Sequence, residues 1–200
     1  MKKLLALTIA TIIVVPSSYA LSLRLHIPVS VSADFDCNLD GTAYDCTPTS
    51  EGTSLRGIFG LFGVGYTSST LNLGWPSNPY NLEKKLTANA ADFSLSFLDA
   101  MVTVGYGPVI GGAVETKARL VQDSNVFEFT QSLENVSGST SFLNLGFDVG
   151  PLELIAGYRM WDTKYKLKTD ITLNGSPNSS STEEETRKWN EMTVGVGFGF

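Results

Sequence analysis

The chain has 200 residues, with 20 acidic against 14 basic side chains, a net charge of −6, and 19 glycines. That is the length of one ordinary domain. The acidic balance argues against a nucleic-acid partner, because neutralising phosphates requires a basic face. One histidine and two cysteines leave no zinc-finger spacing, and no phosphate-binding loop or nucleophile elbow is present.

In chain order, Met1-Lys2-Lys3 opens a basic start and residues 4–15 form an apolar run. Pro16 breaks the run, and Ser18-Tyr19-Ala20 fits a small-x-small cleavage pattern. Residues 1–20 read as a secretory signal peptide, too short for a comfortable membrane span. Cleavage after Ala20 leaves residues 21–200 with 12 basic and 20 acidic side chains, a net charge of −8. No later apolar run approaches the ~20 residues that a transmembrane helix requires.

The remaining segments alternate with period two, the pattern of strands with unlike faces. In 21–35, Leu21, Leu23, Leu25, Ile27, Val29, Val31, Ala33 and Phe35 fall on one side. Ser22, Arg24, His26, Pro28, Ser30, Ser32 and Asp34 fall on the other. Pro28 lacks an N–H for a ladder and predicts a bulge or a poorly paired spot. Similar strands start in 60–69, 99–108 and 150–159, each after a shorter apolar strand at 53–60, 91–98 and 138–149. The closing strand ends M-T-V-G-V-G-F-G-F, with Gly195, Gly197 and Gly199 on its bare face.

Eight strands result. Short turns are expected near 59–61, 98–100 and 149–151, and long polar loops at 36–52, 74–91, 121–138 and 170–187. The expected fold is all-β, a membrane-spanning antiparallel up-and-down β-barrel whose short turns are periplasmic and whose long loops are extracellular. In lipid every backbone polar group must be paired internally, and a closed barrel does so without edges.

Parity assigns faces. Val104, Tyr106, Ile110, Val114, Ala118 and Leu120 are expected to face lipid, as are Leu152, Leu154, Ala156, Tyr158 and Met160. Phe59, Phe62, Phe147, Phe198 and Phe200 form an expected aromatic girdle at the short-turn rim. The lumen candidates are Arg24, His26, Asp34, Glu115, Lys117, Arg119, Glu153, Arg159 and Glu191. Eight strands leave an interior that side chains can just fill. The expectation is therefore a plug of ion pairs rather than a conducting pore.

The loop A-D-F-D-C-N-L-D-G-T-A-Y-D-C holds both cysteines. Cys37 and Cys46 lie in an exported chain, where a disulfide is the expected state and two free thiols the alternative. Closing this ten-residue loop would stabilise by ~2–3 kcal/mol in the chain-entropy model. Asp36, Asn38, Asp40 and Gly41 match the first half of a calcium loop, but the twelfth position is Thr47 rather than Glu. An Asp-Gly turn clipped by a disulfide is the simpler reading, so no cofactor is expected and calcium is the alternative. Residues 171–187, rich in Ser and Glu, read as a solvated stretch.

The leader, the alternating segments and the terminal Gly-Phe-Gly-Phe resemble the small eight-stranded outer-membrane barrels of OmpA/OmpX type, over residues 21–200. The resemblance implies a Gram-negative outer-membrane location among lipids and lipopolysaccharide. It also implies that the C-terminal aromatic, here Phe200, signals to the barrel-assembly machinery. Three functions follow: a scaffold for surface loops in adhesion, recognition or envelope integrity, with its extracellular ligand unidentified; a narrow passive channel; or a lipid A-modifying enzyme. The enzyme reading would depend on His26. That residue lies early in its strand and points inward, the wrong depth and face for leaflet chemistry, so a non-enzymatic role is expected.

Overall fold

The computed structural model describes residues 21–33, 38–39, 42–43, 47–74, 83–98, 100–122 and 125–199. Residues 1–20, Asp34, Phe35, Asp36, Cys37, Asp40, Cys46 and Phe200 lie outside the described residues, so the signal-peptide, disulfide, calcium and assembly-signal expectations rest on sequence alone.

Eight strands close one antiparallel ring: β1 (Leu21–Ala33), β4 (Thr49–Phe59), β5 (Phe62–Gly74), β6 (Glu83–Phe97), β7 (Val102–Gln122), β8 (Asn125–Val149), β9 (Leu152–Leu173) and β10 (Ser176–Gly199). Each pairs with its sequence neighbours, and β1 closes the ring by pairing with both β10 and β4. Two short strands, β2 (Asn38–Leu39) and β3 (Thr42–Ala43), pair with each other apart from the ring.

The expected short turns are present at one end, beside both ends of the described chain. Gly60 and Gly150 take the left-handed conformation there (φ 61° and 67°), which a residue without Cβ adopts freely. The third turn uses Leu98 and Ala100 at φ 53° and 67°. Such non-glycine residues cost of order 1–3 kcal/mol unless their surroundings hold them.

The opposite end shortens all four expected loops: residues 49–52, 83–91, 125–138 and 176–187 are strand, and β8, β9 and β10 are 25, 22 and 24 residues long. The Ser/Glu-rich segment pairs with β9 from Ser176↔Leu173 downward, and only Asn174-Gly175 turns the chain. A ladder to β9 pairs one edge of its backbone, and its side chains are exposed from Ser176 to Glu184.

The wall reverses polarity along its height. Near the short turns the outer face is apolar: on β1, exposure runs from 38% at Leu21 to 57% at Val29. Phe59, Phe62, Phe147 and Phe198 are exposed at this end, as the girdle expectation has it. Leu152, Leu154, Tyr158 and Met160 are also exposed on the outer face. Towards the opposite end the apolar residues turn inward. Leu71, Leu73, Leu86, Trp161, Tyr165, Leu167 and Trp189 form a buried cluster, while Lys164 and Lys166 are exposed.

Two bulges carry part of this reversal. In β1 the register shifts between Pro28 and Ser30, at the predicted spot. Beyond it Ser30 and Ser32 are exposed, and Val31 and Ala33 pack against the inner cluster, which corrects the face expected for them. In β7, Asn89↔Gly111 and Ala90↔Val109 leave Ile110 as an extra residue. Past it Val114 packs inward and Glu115 is exposed, reversing both expectations, because one added residue flips every later side chain.

Candidate functional site in the barrel lumen

The inner face carries a stack of side-chain layers. Nearest the short turns, Arg24 of β1 forms a forked pair with Glu153 of β9: Nη2 to Oε1 at 2.5 Å and Nε to Oε2 at 2.8 Å. Its Nη1 donates to Thr103 Oγ1 at 2.7 Å and its Nη2 to the Ala100 carbonyl at 2.7 Å. The same guanidinium thus fixes the turn that contains two positive φ angles. Gly146 and Gly197 leave the space: a Cβ at either would collide with the Glu153 carboxylate.

The next layer centres on Asp92 of β6. Arg56 Nη2 donates to Oδ1 at 2.5 Å, Arg159 Nη1 donates to Oδ2 at 3.1 Å, and Thr67 donates to Oδ2 at 3.0 Å. Both guanidinium carbons also lie over the Phe142 ring, 3.8 and 4.7 Å from its centroid. Cations attract an aromatic face in this way, more strongly when desolvated. Arg24 and Arg56 stand directly opposite each other on β1 and β4. That placement of like charges is unfavourable unless each has its own anion, which Glu153 and Asp92 provide.

Glu191 of β10 anchors the third layer. It accepts from Ser50 Oγ at 2.5 Å, from Ser69 Oγ, from Trp189 Nε1 at 3.0 Å and from Trp161 Nε1 at 3.1 Å. The two indoles are direct cross-strand partners, stacked with centroids 5.3 Å apart and planes 13° apart. Glu191 is also the strand partner of Arg159, yet that guanidinium turns to Asp92, and four neutral donors hold the Glu191 carboxylate instead. Above it the apolar cluster fills the lumen. Lys84 and Glu185 cap the stack from opposite walls, and Arg187 joins Glu185. Burial alone would raise the Glu185 carboxyl; the hydrogen bonds and charges of Lys84 and Arg187 outweigh it and hold that group below its ordinary value.

The expected lumen residues divide cleanly. Arg24, His26, Glu153, Arg159 and Glu191 are buried inside. Glu115 is exposed on the outer face. Lys117 and Arg119 lie on β7, but their side chains fall outside the described ones. Sequence reading missed Arg56 and Asp92, the centre of the network. The alternation Ala91, Phe93, Leu95 outward with Asp92, Ser94, Ser96 inward could have revealed Asp92. Three buried arginines face three buried carboxylates in these layers, so their formal charges balance.

Among the described residues, no group of three or more His, Cys, Asp or Glu side chains could hold a metal ion. The space beside His26, Arg159 and Glu191 and the space beside Glu153 each have room for about one water-sized molecule. The sequence matches no protein-family model and no curated protein.

Proposed function

We propose that the chain is an exported outer-membrane barrel that works as an anchor for surface loops, with a closed lumen. The carrying observation is the pairing of an outer belt with a filled interior. The belt presents large apolar side chains on all eight strands, a contiguous surface far beyond what soluble monomers expose. Its face between the short turns and Met160 or Met192 bears no charged side chain among the described residues. Below the His26–Ser54 rung the ring pairs its own backbone, which suits a hydrocarbon environment.

The filled interior favours the scaffold over the channel. Crossing the lumen would require parting Arg24 from Glu153, then Asp92 from two arginines, then entering a packed apolar cluster. Paired buried charges of this kind are expensive to separate. The enzymatic alternative finds no support at His26, whose Nε2 has no hydrogen-bond partner among the described residues. On this reading the leader directs export, Phe200 serves assembly, and recognition resides in the segments beyond the belt, including the Cys37–Cys46 loop.

Refolding the mature chain with lipid vesicles tests the placement. The expected result is flotation with the vesicles and a folded band that migrates differently after boiling. A chain that stays in the aqueous fraction while retaining its folded band would overturn it.

A further inference from the structure

The barrel wall is not uniformly laced. The β1–β4 ladder runs from Leu21↔Phe59 only to His26↔Ser54. Beyond it β1 continues with β10 alone, to Ala33↔Trp189, and Thr49–Thr53 continues with β5 alone. The bulge after Pro28, a residue with no N–H to offer, belongs to the part of β1 that has left β4. A gap in the wall therefore opens above the His26–Ser54 rung.

A cavity of about 10 Å³ occupies this gap. Its outer lining is Ile27, Pro28 and Thr53; its inner lining includes His26, Arg159 and Glu191. Only about one water-sized molecule fits in it. At its inner end His26 is 3% exposed, and its Nε2 has no hydrogen-bond partner among the described residues. Buried polar atoms of this kind are nearly always satisfied.

We infer that this gap is a lateral port through which a single water molecule reaches His26 and hydrogen-bonds to its ring. Three arguments fix the chemistry. A neutral imidazole offers one donor and one acceptor, and water can answer either, so it suits both tautomers. A charged ligand is disfavoured because the surrounding guanidiniums and carboxylates already balance and have partners. The route is lateral because the Arg24–Glu153 pair closes the lumen on one side and the Trp161–Trp189 cluster closes it on the other. The inference depends on the barrel alone and holds whether or not the loops bind a partner.

The test uses the mature barrel in detergent micelles with ¹⁵N,¹³C-labelled histidine, of which there is one. Water is the first probe, and methanol and tert-butanol follow. Magnetisation transfer from water to the His26 ring protons is expected, with transfer from methanol weaker and from tert-butanol absent. In Thr53→Trp, where an indole would cover the outer mouth, the water transfer is expected to disappear while the folded band persists. Absence of water transfer in the unaltered barrel would overturn the inference. So would transfer undiminished in folded Thr53→Trp, since water would then arrive by another route. Should that variant fail to fold, the size series decides: equal transfer from water and tert-butanol overturns a water-sized port.

Discussion

Replacing Asp92 with asparagine removes the only carboxylate that Arg56 and Arg159 share. The side chains of Arg56 and Asp92 are fully buried, and that of Arg159 is 5% exposed. The amide keeps one acceptor, but its NH₂ turns a donor towards a guanidinium that has donors only. Arg159 retains Thr140 at 3.2 Å and the aromatic faces of Phe142 and Trp161, none of which neutralises it. Removing one partner of a buried pair costs about 3–5 kcal/mol, because a charge stays behind in low dielectric. Two cations are orphaned here, so the loss should reach the upper part of that range. Urea unfolding of the vesicle-inserted barrel, read by the heat-modifiable band, measures it. Adding Arg56→Met to Asp92→Asn should recover part of the loss, since one uncompensated charge leaves with its partner. A loss for Asp92→Asn under about 1 kcal/mol, the range of an exposed pair, would refute the buried-network argument.

Other expectations follow from the same layers. Gly105→Ala places a Cβ in collision with the Phe142 ring and 2.6 Å from the Phe93 carbonyl; overpacking of this kind should cost about 1–3 kcal/mol in the same urea assay. Glu191→Gln replaces an acceptor of four bonds with a group that has a single acceptor oxygen. A stability loss of about 1–3 kcal/mol and a shifted tryptophan emission are expected, because two of the four donors are indoles. Glu185, above the apolar belt, has a lowered folded-state pKa. Its pairing therefore stabilises above the ordinary glutamate value of about 4.3 and is lost as pH falls through the lower folded value. Lys84→Met should flatten that part of the acid-unfolding curve, measured as the urea midpoint against pH.

The sequence made the lower barrel legible because parity survives there. From Leu21 to Ile27 and from Leu152 to Met160, alternate residues do what the pattern implies, and the polar set points inward. Period two separates faces but cannot say which is inside. Beyond the belt the apolar set of β9 moves to the inner face as Trp161, Tyr165 and Leu167, and the lysines take the outer one. The bulges at Val29 and Ile110 explain Val31, Ala33, Val114 and Glu115: a single inserted residue leaves composition unchanged while exchanging faces. The long polar arms of β8 and β10 read as loops because serine- and glutamate-rich stretches lack apolar contrast. Register supports them as strands. Ion-pair partners were not legible, since Asp92 reaches Arg159 across 67 residues of chain, a relation set by ring closure.

The most direct test of the closed, membrane-anchored barrel is single-channel recording of the refolded mature chain in a planar bilayer, with insertion verified by the heat-modifiable band. A silent bilayer with inserted protein is the predicted result. Steady, discrete current steps from the inserted barrel would contradict the closed lumen and make conduction its function.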